Sequence, residues 1–436
     1  MVLGAGVMGV AVYGLVGAMA AALHALFLLL LPRMGVPLPL ANLIGFLVAS
    51  LWSYGAHARF SFRRQTRGRA FPRRWLLCQL GLNVALSLLL PWLLAPWARW
   101  WPVVLLLVFT PTAVNYAVWS LAARQVARNL QPLGPPPAHH ADDLGLDPAI
   151  NRAIFDLADR GLLQSTSLMV GAPAAAEAIA GLRLRPQLTV CLHLVLSEGP
   201  PLAPAGQIPL LLDEAGLLKL GFAELLLASL WPFGRCRRLA QQLAIEVVAQ
   251  LRAFVALTGT TAIHLDGHQH LHLLPVVWRP LMRLPPELRP VWLRTVREAW
   301  PAGLPLQAWA RCLVSAGWLK WLVLSGLSLQ LRPVLRREGI ATNASFAGVL
   351  FTGRMADRAL VACERHLRTR AFRQDGADRT LTKPLLLLHP GLPEQGDLAI
   401  TIDRRYRQSA PFYASRWRYR EYEALGGLEA ALVDLG

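Results

Sequence analysis

The sequence predicts a multi-domain protein: four membrane-crossing α-helices, then an α/β domain of buried parallel strands and covering helices. Three observations carry this expectation. No aspartate or glutamate precedes Asp142, although arginines are frequent there. Four long apolar runs fill the same acid-free stretch. Beyond it, short apolar runs that end abruptly in histidine alternate with longer amphipathic stretches, as strands and covering helices do.

Bulk properties agree. A chain of 436 residues suffices for two or three domains, and 54% hydrophobic content with mean hydropathy +0.39 is high for a soluble protein. The formal charge of +18 falls partly between apolar runs and accompanies no aromatic-basic motif. Membrane orientation explains it better than nucleic acid, which is not expected as a partner. Cys78, Cys191, Cys236, Cys312 and Cys363 are scattered without CxxC spacing, which argues against a disulfide framework or a cysteine–zinc knuckle. The first apolar run has no charged leader or small-residue cleavage site, so it is expected to be retained.

The membrane elements come first. Apolar runs at about 7–31, 37–53, 75–97 and 103–123 match the roughly 20 residues that cross a hydrocarbon core. Between the second and third lie Arg59, Arg63, Arg64, Arg67, Arg69, Arg73 and Arg74. The opposite loops carry only Arg33 and Arg99, with Trp97, Trp100 and Trp101 as interfacial anchors. The positive-inside bias places the arginine loop, both ends of the four-helix unit and the domain that follows in the cytoplasm. Asn42, Asn83 and Asn115 fall in or near apolar runs, where amides pair across helices or meet a ligand.

Next comes a tether. Residues 129–138 read NLQPLGPPPA, an extended and semi-rigid composition. About 20 residues separate the last apolar run from Asp143, at most ~65 Å of chain. The second domain is therefore expected to work beside the membrane. Expected boundaries are 1–130 for the bundle, 131–138 for the tether and 139–436 for the α/β domain.

Four clusters in that domain carry chemistry. They are His140-Ala141-Asp142-Asp143-Leu144-Gly145 with Asn151, Leu192-His193-Leu194 with Ser197-Glu198-Gly199, the run from His264 to His272, and Leu385–Leu388 ending in His389-Pro390-Gly391. Amphipathic stretches at 149–161 and 243–258 supply covering helices. Polar side chains just past parallel strand ends face one crevice, so the clusters converge. One carboxylate with two imidazoles makes an open site for a divalent ion, which polarises a carbonyl and activates water. A second carboxylate then serves as general base, and a further histidine as proton donor. Each cluster alone has a plainer reading, as a helix cap or an adventitious metal site. All four in one chain do not.

Two resemblances follow. Residues 5–130 resemble the GtrA-like family through the four helices, the arginine loop and the Ser53-Tyr54…Arg59 and Asn115-Tyr116…Arg124 endings. This implies a unit that moves or presents polyprenyl-phosphate-linked sugars. The motifs ADDLG…N, STSLM, LHLVLSEGPPL, HLDGHQHLHLLP and LHPG, over about 138–425, resemble the YdjC/ChbG-like carbohydrate deacetylases. GIATNASFAGVLFTGRM at 339–355 is similar to their HpnK-like branch. The resemblance implies a distorted TIM-like (β/α) barrel and one divalent metal ion, Mg2+ or Zn2+, on Asp143, His193 and His268. It further implies a base at Asp142, an acid at His389, and substrate contacts among Asn151, Ser165, Asp266, His270, His272 and Arg294. Two departures stand out: PPPAHH replaces the usual apolar strand before Asp142, predicting a short or irregular first strand, and Leu144 replaces the usual Phe.

Two greasy insertions, 210–233 and 306–335, remain. The second, with Trp309, Arg311, Trp318, Lys320 and Trp321, suits either a core helix or a membrane interface. Arg404, Arg405, Arg407, Arg416, Arg418 and Arg420 with Tyr406, Tyr413 and Tyr419 suggest a headgroup-facing or simply solvated basic surface. The whole implies a multi-pass protein of the bacterial inner membrane that removes acetyl from an N-acetylamino sugar on a lipid carrier. Membrane lipids and a second copy of the membrane unit are its other expected partners. The rival readings are a lipid-sugar flippase whose second domain only binds, and a tethered deacetylase of soluble chito-oligosaccharides.

Overall fold

The computed structural model describes residues 2–94, 96, 101–129, 134–231, 233–298, 300–301, 304, 317–371, 380–392, 403–406, 408–413 and 415–434. It divides into two compact units, Met1–Pro132 and Leu133–Gly436.

The first unit is helical. Its long helices are Val2–Leu30, Leu38–Ala56, Arg73–Leu94 and Trp101–Asn129, with a short turn of helix at Arg63–Thr66 in the arginine loop. Pro32 and the left-handed Gly35 end the first helix, and Pro37 starts the second, because proline lacks the N–H a helix interior needs and glycine tolerates positive φ. The described parts of the expected apolar runs lie mainly on these helices. Among the described residues of this unit, Val12–Met34 is long and apolar enough by itself to cross a membrane. The amides have partners: Asn83 donates to Asn115 at 3.0 Å, and Asn42 meets His24 at 3.0 Å. They join helices rather than await a ligand. Phe71 stacks on Trp119, their ring centroids 5.2 Å apart, in an aromatic core with Phe62. The anchors expected at Trp97 and Trp100, and Arg99, lie outside the described residues.

The second unit is built on one curled parallel sheet. Its strands are β1 (Ala138–Leu144), β2 (Ser165–Leu168), β3 (Thr189–Leu194), β4 (His264–Gly267), β5 (Trp292–Leu293), β7 (Phe346–Ala347) and β9 (Leu385–Leu388), in the order β5-β4-β3-β2-β1-β9-β7. A separate pair joins β6 (Thr342–Asn343) to β8 (Leu381–Thr382). A single bridge from Glu298, just past β5, to Phe346 links the two ends of the row. The sheet is thus a curled row of seven strands. Helices such as Pro148–Asp159 and Gly234–Thr258 cover it. Gly234–Thr258 also has the length and apolarity of a membrane span, but its Leu243, Val247, Leu251 and Phe254 face the core, and buried Glu246 accepts backbone N–H groups of Leu202 and Ala203.

The first strand corrects an expectation. β1 is neither short nor wholly irregular: it runs seven residues and pairs on both sides, and Ala138, placed in the tether by sequence, is its first residue. Histidines serve where apolar residues were expected because their ring nitrogens find partners. His139 reaches the Leu162 carbonyl and Glu364, and His140 reaches Ser165 and Ser167. Buried polar groups so satisfied do not disfavour a central strand. The irregularity is local, a register shift between Ala141 and Leu144.

Candidate active site

Strand register assembles the site. β3 and β4 pair His193 with Asp266, while β1 and β9 pair Ala141 with Leu388. Asp142, Asp143, His193, Asp266, His268 and His389 therefore leave neighbouring strand ends on one side of the sheet. At the β1 end the chain kinks: Asp143 holds φ 73° and Gly145 φ 92°. A left-handed aspartate stores about 1–3 kcal/mol of strain, which persists only where the surroundings fix it. Here Asn151 accepts the Gly145 N–H at 2.8 Å and donates to the Ala174 carbonyl, and Arg418 binds the Asp143 carboxylate. Past β4, Gln269 and His270 also adopt positive φ, 54° and 61°.

Asp143, His193 and His268 form a buried group whose ligand atoms lie within 4.8 Å of one another. The Asp143 carboxylate is 3.5 Å from His193 Nε2 and 3.7 Å from His268 Nδ1. The outer nitrogens are already committed: His193 Nδ1 meets Asp266 at 2.7 Å, and His268 Nε2 meets Glu198 at 2.9 Å. This carboxylate–imidazole pairing fixes the tautomer and aims the inner nitrogen at a metal. The donor set fits a divalent ion with open positions. Two other buried groupings use Asp266 with Cys191 or Asp142. They fit less well, since burial drives the Cys191 thiol well above its ordinary range and Asp266 is spent on its neighbours.

Asp142 stands beside this group. Arg294 grips it with a bidentate fork, 2.7 and 3.0 Å. Burial opposes ionisation, but the Arg294 charge and the neighbouring histidines hold Asp142 well below the usual carboxylate range. His389 lies 3.9 Å from Asp142 and receives the edge of the Phe412 ring. Burial lowers His389 to about 3 despite the Asp143 and Asp142 charges, so it rests neutral. Burial also opposes charge on His193, yet the Asp142 and Asp266 carboxylates raise it to about 10.

Several residues expected to contact substrate have protein partners of their own. The Asp266 carboxylate is shared among His193, His140, Ser167 and Arg294. Arg294 is fully buried against Asp142 and Asp266 and fixes the Asp142 carboxylate. Asn151 braces the β1 kink, and Ser165 caps the His140 ring. His272 donates to the Arg294 carbonyl at 3.0 Å, leaving a buried Nδ1 without a partner among the described residues. His270 packs against Phe346, and its Nδ1 likewise has no partner among the described residues. The basic C-terminal cluster is also corrected. Arg404, Arg405, Arg416 and Arg420 are exposed, but Arg418, Tyr406 and Tyr413 are buried, and Arg407 lies outside the described residues. Arg418 sits between the Asp143 carboxylate and the Phe412 and Tyr413 rings.

Sequence reasoning missed the work of Glu198, Ser167, Ser409, Tyr413, Arg418 and Glu421. Glu198 accepts from His268, Tyr413 and the Ser409 N–H. Glu421 accepts the His389 backbone N–H at 2.6 Å and that of Met355 at 2.9 Å. Glu198, five residues past His193, and Ser167 sit in noted motifs, and Tyr413 and Arg418 fall in the noted basic cluster, but only the fold reveals their partners; Ser409 and Glu421 carried no signal.

Both parts of the chain are similar to known proteins. Residues 139–431 match the family model described as YdjC-like protein, and residues 12–123 match the GtrA/DPMS transmembrane domain. A carbohydrate deacetylase of Mus musculus is 32% identical over 258 residues, covering 58% of this chain and 77% of that protein. One from Thermoanaerobacter pseudethanolicus is 33% identical over 131 residues, covering 30% and 49%. A chitooligosaccharide deacetylase of Serratia marcescens is 32% identical over 160 residues, covering 36% and 58%. The chain thus spans about half the length of two of these relatives and three quarters of the third. On the match over residues 139–431, the chain belongs to the YdjC-like family.

Proposed function

We propose that this chain is a metal-dependent N-deacetylase of an N-acetylamino sugar carried on a membrane lipid. The observation that carries the reaction class is the buried Asp143–His193–His268 group with an ionised second carboxylate, Asp142, beside it. A divalent ion held by those three residues would supply polarisation of the amide carbonyl and activation of water. Asp142 takes a proton from the attacking water, its orientation fixed by the Arg294 fork. His389 rests neutral, so it must gain a proton before it can donate one. Asp142, 3.9 Å away, is the nearest source, and the proton crosses from Asp142 through His389 to the departing amine. Glu198 and Asp266 hold the two imidazoles in place meanwhile.

The lipid carrier is supported by the GtrA/DPMS transmembrane match in the same chain. In this reading the four long helices cross a bacterial inner membrane, with the arginine loop and the α/β domain in the cytoplasm and the sheet as a distorted TIM-like barrel. The Serratia relative, a chitooligosaccharide deacetylase, favours a second reading, a free chito-oligosaccharide as substrate. Acetate release by the purified chain tests the reaction class: it is expected from the parent and lost in Asp142→Asn. Mass spectrometry of membrane glycolipids with and without the active chain separates the substrates. One lipid species should differ by a single acetyl group. Turnover of soluble oligosaccharide with no lipid species altered supports the second reading.

A further inference from the structure

The segment from Leu227 to Arg238 has a surface that the site does not use. Helix Phe222–Leu230 buries Leu225, Ala228 and Ser229, and Ser229 Oγ accepts the Val276 N–H at 3.1 Å, which fixes its inner side. Its other side and the residues just past it face solvent: Leu227 is 58%, Leu230 72%, Trp231 63% and Phe233 65% exposed. The Trp231 and Phe233 rings meet edge to face, with centroids 5.8 Å apart. Scattered exposed apolar residues are ordinary, but four large ones within seven positions mark an interaction surface.

Arginines adjoin them. Helix Gly234–Thr258 opens with Arg235, Arg237 and Arg238, all exposed, and has no acidic residue in its first turn. None of the three forms an ion pair with a described residue. Helix N-termini carry positive partial charge and favour anions, so three cations there oppose the helix dipole. Their placement gains nothing for the fold and suits an anionic partner lying over the helix end. Aromatic and leucine side chains that insert among acyl chains, flanked by arginines that meet headgroups, are the composition of an interfacial membrane anchor.

We propose that residues 227–238 dock on an anionic lipid bilayer surface, with Leu227, Leu230, Trp231 and Phe233 inserted and Arg235, Arg237 and Arg238 on the headgroups. The transmembrane family match in this chain supplies the bilayer. The inference is independent of the deacetylase reading.

The test uses the full chain in lipid nanodiscs, with a photoreactive benzoylphenylalanine at position 231, at 233 in a second preparation, and at the exposed Leu184 as control. Leu15, exposed on the first helix, serves as the reconstitution check. Mass spectrometry reads lipid adducts on the labelled peptide. Adducts are expected at 231 and 233 but not at 184, and more in discs with anionic lipid than in zwitterionic ones. Each arginine changed to glutamine should weaken docking about fivefold in anionic discs. The proposal is overturned by no adduct at 231 and 233 while position 15 labels, by labelling at 184 equal to that at 231, or by a protein–protein adduct at 231, which would make the surface an interface between copies. Activity is not measured, so a failed deacetylase assay leaves this result standing.

Discussion

Replacing Arg294 with methionine offers the sharpest check on how the base is held. Arg294 is fully buried and donates to both Asp142 oxygens, with Asp266 3.2 Å from the same nitrogen. Methionine fills much of the volume but leaves two buried carboxylates without their counter-charge. Breaking a buried pair from one side costs about 3–5 kcal/mol, on the order of 10 °C in Tm for a domain of this size. Arg294→Lys keeps the charge but loses the fork, and should cost less. The sign with pH follows from linkage. Arg294 holds Asp142 well below the usual carboxylate range, so the stability it contributes is present at neutral pH and lost as pH falls through that lowered value. The gap between parent and Arg294→Met should therefore be widest near neutrality and close in acid. Chemical denaturation of the detergent-solubilised chain, followed across pH, reads the gap. In parallel, the acidic limb of acetate release should move to higher pH in the variant. A gap that is absent, or that widens in acid, would refute the assignment of Arg294 as the brace of Asp142.

Three further outcomes are expected. Chelation should remove activity and divalent ions restore it, whereas Asp143→Asn and His193→Gln should abolish metal binding by calorimetry; retained binding in both would place the metal elsewhere. His389→Gln should lose acetate release by about 10²–10⁴-fold while binding metal as the parent does, and an unchanged rate would remove His389 from proton transfer. Burial pushes Glu298 up to about 7, so the native state keeps a proton that the unfolded chain has released. The contribution of Glu298 is then full below its unfolded value and is lost as pH rises towards 7, on the order of 3 kcal/mol in all. Denaturation midpoints should fall from pH 5 to pH 8, and Glu298→Gln should flatten that slope.

Much of the architecture was legible because it rests on local periodicity. The described parts of the apolar runs lie mainly on helices, and the amphipathic stretches at 149–161 and 243–258 overlap helices Pro148–Asp159 and Gly234–Thr258. Short apolar runs ending in His193 and His389 proved to be strands whose ends converge. The first strand was misjudged, because nothing local to His139 or His140 reveals Glu364, Ser165 or Ser167 as partners. By sequence, Trp318 and Trp321 suit either a core helix or a membrane interface. The Trp321 indole donates to the Glu298 carbonyl at 2.7 Å, while Trp318 and Leu322 are exposed; Trp309 and Arg311 lie outside the described residues.

By itself the sequence determined which residue types are available at strand ends and which stretches are apolar, since side-chain spacing and chain composition are written locally. It also set the division into an acid-free helical part and an acid- and histidine-bearing α/β part. Only the tertiary structure decided which charges meet. Arg294 and Arg418, similar residues in sequence, were divided between Asp142 and Asp143 across 152 and 275 positions of chain. Buried charges must find a counter-charge wherever folding brings one, and strand order and register, rather than proximity along the chain, choose that partner.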